Sequence, residues 1–263
     1  MISQLKYALK YFKYLLFAKH KKGHGIHSPF MFELITKVFT NKPIEDDLQK
    51  VFDIHDRLKK STELLEFNEI GAGSLYKRKK KQSLNKIIKR SSVNKKYGEL
   101  LFNLIKHFEP KEILEIGTSV GISTAYIAQA SKNSNFKSIE GIKAKTRIAE
   151  KVAQELDQNT EFIIGDFDDI IDDITKSFEQ LDFVFFDGNH KKQNTLKYFN
   201  TCLQKVHNNS IFIFDDIHWS TEMEEAWDEI KRNQTVKVSV DLFRMGLIFF
   251  KQELSYQQYV IKF

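Results

Sequence analysis

The stretch Ile113-Leu-Glu-Ile-Gly-Thr-Ser-Val-Gly-Ile-Ser123 decides the fold. A short apolar run is followed by two glycines and then by a segment of helical character, which predicts a strand, a tight turn and a helix. Gly117 and Gly121 are spaced Gly-x-x-x-Gly, and Ser119 lies where a dinucleotide fingerprint would have its middle glycine. The spacing favours close backbone approach to a nucleoside over binding of a pyrophosphate.

Short apolar runs alternate with helical segments from residue 97 onward. This alternation is typical of a doubly wound α/β sheet whose strands are mostly parallel. Only Phe243 and Arg244 separate the last two strands, so they should form an antiparallel hairpin at one end of the sheet. The expected sheet has seven strands, with one antiparallel terminal strand: residues 112–116, 136–140, 160–164, 183–186, 211–214, 236–242 and 245–250.

The first 95 residues have a different pattern, with apolar residues at helical spacing. Ser28 and Pro29 are typical of an N-cap and a first helical residue. Helices are predicted over residues 2–19, 30–40, 43–65 and 84–90, with a basic loop over 71–81. We therefore expect a helical N-terminal extension or cap in residues 1–95 and an α/β domain in residues 96–263.

Composition restricts the class of protein. The chain has 263 residues, of which 41% are hydrophobic and 29% charged, as in folded globular proteins. Its longest apolar runs are far shorter than the roughly 18 residues that span a bilayer. Cys202 is the single cysteine, so an intrachain disulfide is excluded and a cytoplasmic location is expected. Residues 1–100 carry 22 Lys+Arg and 10 Asp+Glu, against 19 and 25 in the remainder.

Two acidic residues follow the predicted turn at neighbouring strand ends. Glu140 ends the second strand, where a carboxylate can accept both hydroxyls of a ribose. Asp166 follows the third strand and should face the edge of an adenine. The carboxyl ends of these strands therefore predict a nucleoside site.

Three further aspartates follow the fourth and fifth strands. Asp187 comes after the fourth strand, and Asp215 and Asp216 come after the fifth. Because these loops share one edge of a doubly wound sheet, the three carboxylates can converge on one hard cation. In the alternative interpretation, Asp215 and Asp216 form a solvent-facing strand end or an N-cap before Ser220.

These acidic residues, in order after the glycine turn, resemble class I S-adenosylmethionine-dependent methyltransferases. The resemblance covers about residues 97–251, and the terminal hairpin agrees with it. It implies a Rossmann-like fold and S-adenosylmethionine as cofactor. The residues implied in cofactor binding are Glu115, Gly117, Thr118, Ser119, Gly121, Ser123, Glu140, Asp166 and Asp187.

The catalytic edge resembles the small O-methyltransferases of the catechol type. That resemblance implies Mg²⁺ bound by Asp187, Asp215 and Asp216, and a small-molecule acceptor with a hydroxyl group. The lysine that serves as base in that group is replaced by His190, which either takes the proton or only positions its loop. The run from Phe185 to His190 also resembles a bacterial subgroup with an Asp-Gly-x-His signature and non-uniform metal dependence.

Two other functions stay open at this stage. The basic first 100 residues allow methylation of RNA or another anionic polymer, although the sequence contains no recognised RNA-binding motif. Alternatively, the helix predicted over residues 2–19 rests on an anionic membrane surface and the sheet is a catalytically silent scaffold. The complete set of cofactor residues argues against a silent scaffold.

Overall fold

The structure is a computed structural model that describes residues 2–68 and 79–263. Its helices are α1 (Ile2–Phe17), α2 (Pro29–Glu33), α3 (Glu45–Lys60), α4 (Leu84–Ser91), α5 (Lys95–Phe108), α6 (Ile122–Ala130), α7 (Lys143–Glu155), α8 (Phe167–Lys176), α9 (Lys192–Leu203) and α10 (Thr221–Lys231). Its strands are β1 (Leu64–Asn68), β2 (Lys79–Ser83), β3 (Glu112–Ile116), β4 (Asn135–Glu140), β5 (Glu161–Ile164), β6 (Phe183–Phe186), β7 (Ile211–Phe214), β8 (Val238–Asp241), β9 (Gly246–Phe249) and β10 (Gln257–Val260). A 3₁₀ turn at Lys21–Gly23 and a π-helical segment at Leu34–Phe39 complete the N-terminal part.

The large sheet has eight strands, β3 to β10, and is mostly parallel. The predicted Rossmann-like fold class is confirmed, and all seven predicted strands are present. The eighth strand, β10, alternates between half-buried and exposed residues and has no apolar run by which the sequence could reveal it. It pairs with β8, so the predicted β8–β9 hairpin forms but does not end the sheet.

The chain folds as two compact units. The central unit comprises residues 41–170, and its strands β3, β4 and β5 pair in parallel in that order. The split unit comprises residues 1–40 and 171–263. Its strands follow the order β10, β8, β9, β7, β6, with β9 antiparallel to both of its neighbours.

Aromatic side chains fill the core of the split unit. Strands β6, β7 and β9 are buried at every residue, which explains their continuous apolar sequences. Phe186 stacks on Phe214 with ring centroids 4.4 Å apart. Trp227 from α10 lies over Gly246, where a β-carbon would come within 2.7 Å of the indole ring. Gly246 therefore makes room for the largest side chain of this core.

The prediction of an all-helical segment over residues 1–95 is wrong in one place. Helix α3 ends at Lys60, and β1 and β2 pair as an antiparallel two-stranded sheet. Glu66 and Lys81 face each other across this pair, with their charged atoms 2.7 Å apart. Most of the predicted loop over 71–81 lies outside the described residues. The predicted N-cap is present, because the Ser28 hydroxyl accepts a hydrogen bond from the Met31 amide.

Helix α1 packs on the β8–β9 hairpin within the split unit. The rings of Tyr7, Tyr11 and Tyr14 all lie about 5 Å from the Phe243 ring, between centroids. The Tyr14 hydroxyl also donates a hydrogen bond of 2.5 Å to the Ile261 carbonyl. The domain boundary near residue 95 and the cap over the cofactor side stay predictions. In the described part of the chain, no helix combines the length and apolar character needed to cross a membrane.

Candidate active site

The glycine turn of the central unit connects β3 to α6. Gly117, Ser119 and Gly121 all have positive φ angles, of 110°, 48° and 84°. The amides of Gly117 and Thr118 both donate hydrogen bonds of 3.0 Å to the Ile139 carbonyl of β4. These hydrogen bonds hold the turn against β4 at the edge of the sheet where β3 and β4 end.

Gly121 is required by packing as well as by its backbone conformation. A β-carbon at this position would lie 2.8 Å from the Cβ and 2.9 Å from the Cα of Ala149 on α7. Such a contact is too close for a side chain of any size. The second glycine of the motif thus allows two helices to approach, a reason that differs from the ligand approach expected from the sequence.

Glu140 lies against the glycine turn, as its position at the end of β4 predicts. One carboxylate oxygen, Oε2, accepts a hydrogen bond of 2.8 Å from the Ser119 amide. The other, Oε1, accepts one of 2.9 Å from the Ile142 amide. Because a carboxylate oxygen can accept more than one hydrogen bond, this fixed group retains capacity for ligand hydroxyls. Its ribose role stays a prediction.

Glu115 lies below the turn in the interior. Its carboxyl group is completely buried, and Oε2 accepts hydrogen bonds from the hydroxyls of Thr124 at 2.5 Å and Ser138 at 2.6 Å. Burial raises the pKa of this carboxyl, while hydroxyl donors oppose the shift. Oε1 has no hydrogen-bond partner among the described residues. A buried acceptor is therefore left at the base of the turn.

The remaining predicted cofactor residues of the central unit have local partners. The Thr118 hydroxyl lies 2.5 Å from that of Ser138, and Ser123 is buried at the start of α6. Asp166 accepts a hydrogen bond of 3.0 Å from the Asp168 amide and thereby caps α8. The structure thus brings Ser119 and Glu140 together, with Thr118 and Ser123 packed below them.

In the split unit, the predicted catalytic residues follow β6 and β7. His190 faces Asp187, with Nε2 3.6 Å from the carboxylate oxygen Oδ1. Both side chains are mostly buried, at 30% and 11% exposure. Asp215 is fully buried at the end of β7, and Asp216 adopts a left-handed backbone conformation with φ of 53°. These residues form what we call the acidic cluster: Asp187, His190, Asp215 and Asp216.

Arg244 from the β8–β9 turn belongs to this cluster. Its guanidinium holds Asp215 through a two-pronged contact, with Nε 2.9 Å from Oδ1 and Nη2 2.7 Å from Oδ2. Nε also lies 3.7 Å from a carboxylate oxygen of Asp216. Bidentate pairs of this kind are among the strongest polar contacts in proteins. The positive charge expected from Mg²⁺ is thus supplied by a side chain.

The acidic cluster does not fit the predicted Mg²⁺ site. Across residues 2–68 and 79–263, no three His, Cys, Asp or Glu side chains are grouped so that they could hold a metal ion. Both oxygens of Asp215 are engaged by Arg244. A hard cation needs several carboxylate or carbonyl oxygens at roughly 2.0–2.6 Å. The Arg244 guanidinium already contacts both oxygens that Asp215 could provide.

Burial and nearby charges shift the pKa of Asp216 in this cluster and that of Tyr7 beside it. Burial, followed by the nearby charge of Asp215, raises the pKa of Asp216 to about 6, although Arg244 and His190 oppose the shift. Burial, again with the charge of Asp216, raises the pKa of the Tyr7 hydroxyl on α1 to about 12. Tyr7 therefore stays a neutral hydroxyl beside the aspartates near neutral pH.

His218 forms a separate charged group beside the cluster. Its Nε2 lies 2.8 Å from an oxygen of Asp241, and its Nδ1 lies 3.0 Å from an oxygen of Glu224. Burial disfavours the charged imidazole, but the two carboxylates outweigh burial and raise the pKa of His218. Glu224 also forms an ion pair of 2.7 Å with Lys10 of α1. This group links α1, α10 and β8.

The sequence did not predict two residues of this site, Arg244 and Tyr7. Arg244 appeared only as one of two residues in a hairpin turn. A usable signal was available, since only six of the 41 basic residues are arginines, and arginine is the residue suited to bidentate contact with a carboxylate. Tyr7 lies in a helix far away in sequence, and nothing in its spacing marks it.

Comparison with known proteins agrees with this geometry. Residues 114–217 match a family described as "Methyltransferase domain". The match includes every site residue that the sequence predicted. Over these residues the chain is similar to this methyltransferase family. The resemblance to the S-adenosylmethionine-dependent methyltransferases is thereby confirmed.

Solved methyltransferase structures have the same fold. An O-methyltransferase from Bacillus cereus in complex with SAH has a TM-score of 0.55 at 19% identity, covering 80% of this chain and 93% of its own. The O-methyltransferase TomG from Streptomyces achromogenes, in complex with SAM, has a TM-score of 0.54 at 20% identity, and the match covers 61% of this chain and 82% of TomG. The SAH-bound methyltransferase PaMTH1 from Podospora anserina has a TM-score of 0.54 at 14% identity, and the match covers 62% of this chain and 81% of PaMTH1. No curated protein matches the chain in sequence.

Proposed function

We propose that the protein transfers a methyl group from S-adenosylmethionine to an oxygen atom of a small molecule in the cytoplasm. The observation that carries the proposal is the fixed carboxylate of Glu140, held against the glycine turn by the amides of Ser119 and Ile142. A strand-end carboxylate in this position is preorganised to accept ribose hydroxyls. Its orientation is set before a ligand arrives.

The residues of the central unit fit a nucleoside cofactor. Glu140 would hold the ribose, and the Ser119 amide of the turn fixes its carboxylate. When bound, S-adenosylmethionine supplies an electrophilic methyl group. The part of the protein is to orient the acceptor oxygen toward that group and to remove its proton.

His190 is our candidate for the proton acceptor, with Asp187 as its partner. Because Nε2 of His190 faces the Asp187 carboxylate, Nδ1 is the nitrogen left to take a proton from an acceptor hydroxyl. The Asp187 charge would then stabilise the imidazolium that forms. A base of this kind favours an oxygen acceptor, and the compared proteins from Bacillus cereus and Streptomyces achromogenes are O-methyltransferases by name.

A small molecule is the proposed acceptor. TomG is described as involved in tomaymycin synthesis, which supports an acceptor of that size. Methylation of RNA or another anionic polymer has only the basic first 100 residues in its favour. The single cysteine, Cys202, is buried and free, which accords with a reducing compartment.

Calorimetry with S-adenosylmethionine, S-adenosylhomocysteine and NAD tests the cofactor. We expect binding of the first two, and Glu140→Ala should weaken it roughly 10- to 100-fold, the equivalent of one or two hydrogen bonds to a charged group. Glu161→Gln is the matched control. Glu161 is an exposed carboxylate at the N-terminal end of β5, whereas Glu140 lies at the C-terminal end of the neighbouring strand β4. Preference for NAD, or equal affinity of the Glu140→Ala variant, would contradict the proposal.

A further inference from the structure

Arg244 and Asp215 form an ion pair in the interior of the split unit. The Asp215 carboxylate has no exposed surface, and the Arg244 side chain is 19% exposed. Removing two charges from water is costly, and close bidentate geometry offsets much of that cost. Burial disfavours the charged guanidinium, but the hydrogen-bonded Asp215 and the nearby charges of Asp216 and Asp187 outweigh burial and raise the pKa of Arg244.

Each carboxylate of the acidic cluster already has a basic neighbour. Arg244 contacts Asp215 directly and lies 3.7 Å from Asp216, and His190 lies 3.6 Å from Asp187. A divalent ion shared by these carboxylates would have to displace a guanidinium that never loses its charge under physiological conditions. The two cations therefore compete for the same oxygens.

We infer that the Arg244 guanidinium is the resident cation of the acidic cluster and that this cluster binds no divalent metal ion. The consequence for catalysis, turnover without added metal, rests on the proposed function. The ion pair and the exclusion of the metal rest on the contacts alone. Arg244 is thus a positioning residue, since it acts on Asp215 and Asp216.

Three variants test the inference. Arg244→Met removes the cation and leaves Asp215 buried without a partner. The double variant Asp215→Leu/Arg244→Met removes both charges and keeps the core filled. Arg57→Met is the matched control, because Arg57 makes a similar bidentate contact with Glu155 on the surface, at 57% and 47% exposure. Thermal unfolding is measured with millimolar MgCl₂ or EDTA, and Mg²⁺ binding is measured by calorimetry.

The wild-type protein should bind no Mg²⁺, and neither additive should change its melting temperature. Arg244→Met should lower the melting temperature by about 10 °C, as expected for a broken buried pair in a chain of this size. It should regain part of that loss in Mg²⁺, because its carboxylates become available. The double variant should recover stability without Mg²⁺, and Arg57→Met should change little.

Stoichiometric Mg²⁺ binding by the wild-type protein would overturn the inference. So would an Arg244→Met variant as stable as the Arg57→Met control. If Arg244→Met does not fold, the double variant and the wild-type calorimetry still decide the question. The proposed function fails by a different result, the absence of S-adenosylmethionine binding, which leaves the inference on Arg244 intact.

A second surface, on α1, carries an independent inference. The outward face of α1 consists of large apolar residues that are 60–64% exposed: Leu9, Phe12, Leu16 and Phe17. The opposite face is occupied by the tyrosines that pack on Phe243. A contiguous row of exposed leucine and phenylalanine on one helix face indicates a binding surface.

The charge around this face indicates what covers it. Residues 1–32 contain six lysines and no acidic residue, and the exposed Lys13 lies beside the apolar row. A helix with leucine and phenylalanine on one side and lysines alongside has the composition of helices that lie in the interface of anionic membranes. A second copy of the chain would bring two such basic segments together, which like-charge repulsion disfavours.

We propose that this face of α1 binds anionic lipid surfaces. Co-sedimentation should show binding to vesicles of phosphatidylcholine with phosphatidylserine, and much weaker binding to phosphatidylcholine alone. Phe12→Ser should weaken binding about tenfold, from the apolar area lost. Ile44→Ser is the control, because Ile44 is an exposed apolar residue that is not part of this helix.

Equal binding by Phe12→Ser and wild-type protein would overturn this second proposal. A stable dimer that dissociates in the Phe12→Ser variant would overturn it as well, because the face would then be covered by a second copy. Light scattering on the same samples distinguishes that outcome. Thermal unfolding of the variant confirms that the folded protein was measured.

Discussion

Buried carboxylates are stabilised by neutral donors in the central unit and by charged partners in the split unit. Glu115 accepts hydrogen bonds from hydroxyls, and Glu140 accepts them from backbone amides. Asp215 instead contacts Arg244, and Asp241 contacts His218. Neutral donors orient a carboxylate without cancelling its charge, whereas an ion pair neutralises it internally.

This difference matches the roles proposed for the two regions. A fixed carboxylate that keeps its hydrogen-bonding capacity, as Glu140 does, can receive a ligand. A paired carboxylate, such as Asp215, holds its neighbours in place and has little left to offer a metal ion. Each kind of contact predicts its own response to substitution.

The largest effect is expected at the ion pair. Asp215→Leu removes the carboxylate and leaves Arg244 as an unpaired, mostly buried cation, which should cost about 4 kcal/mol of unfolding free energy. Urea unfolding measures the loss. Glu155→Leu provides the comparison, because its contact with Arg57 is exposed and should contribute less than about 1 kcal/mol. Equal losses at the two sites would remove the distinction made for Asp215.

A smaller loss is expected at the neutral contact in the central unit. Glu115→Leu leaves the hydroxyls of Thr124 and Ser138 without their buried acceptor, at a cost of about 3 kcal/mol. Glu115→Gln retains an acceptor oxygen and should lose about 1 kcal/mol. The same urea unfolding experiment compares both variants. If Glu115→Gln were as damaging as Glu115→Leu, the carboxylate charge would matter more than its hydrogen bonds.

The glycine turn should respond next. Gly121→Ala combines a positive φ with a steric clash against Ala149, and we expect a loss of about 2 to 3 kcal/mol. Gly25→Ala is the matched control, since Gly25 has a similar φ of 74° while its nearest neighbour lies 3.7 Å away. That control should lose only about 1 kcal/mol. A similar loss in both variants would show that packing on α7 contributes nothing.

Local sequence patterns were sufficient to predict much of the fold. The apolar runs predicted seven strands because fully buried parallel strands carry continuous apolar residues. Strand β1 was missed since it begins within the helix predicted over residues 43–65, and its partner β2 was missed since its sequence is polar and lysine-rich. Strand β10 was missed since only alternate residues are half-buried. Such strands form through pairing with neighbours, which single-sequence periodicity does not report.

The sequence predicted those parts of the candidate site whose residues are brought together by the pairing of neighbouring strands. The position of Glu140 beside the glycine turn follows directly from the parallel pairing of β3 and β4. The contact between Arg244 and Asp215 joins the β8–β9 turn to the end of β7. These residues are 29 positions apart in sequence, so the contact is seen only in the folded structure. The sequence shows the three aspartates but not the guanidinium that contacts two of them, so the predicted Mg²⁺ site was drawn without this competing cation.

The smallest effect near neutral pH is expected at His55 on α3 of the central unit. Burial, with the positive charge of Lys59, lowers the pKa of His55 to about 4, although Asp56 opposes the shift. Its Nε2 has no hydrogen-bond partner among the described residues, so no carboxylate holds the charged imidazole by a hydrogen bond. His55 therefore follows the neutral pattern of the central unit, in contrast to His218, whose carboxylate partners raise its pKa.

The sign of the pH dependence follows from these directions. An unfolded histidine has a pKa of about 6.5, so between about pH 4 and 6.5 the unfolded chain binds the proton that folded His55 excludes. Stability should fall by about 1 to 2 kcal/mol from this group as the pH decreases from 7 to 5. His55→Gln should remove that part of the acid-side slope in urea unfolding. His218→Gln should leave the slope below about pH 6.5 unchanged, because there the raised pKa keeps folded His218 protonated and the unfolded histidine is protonated as well. If instead His218→Gln flattened the slope and His55→Gln did not, the assignment of charged and neutral environments to the two units would be reversed.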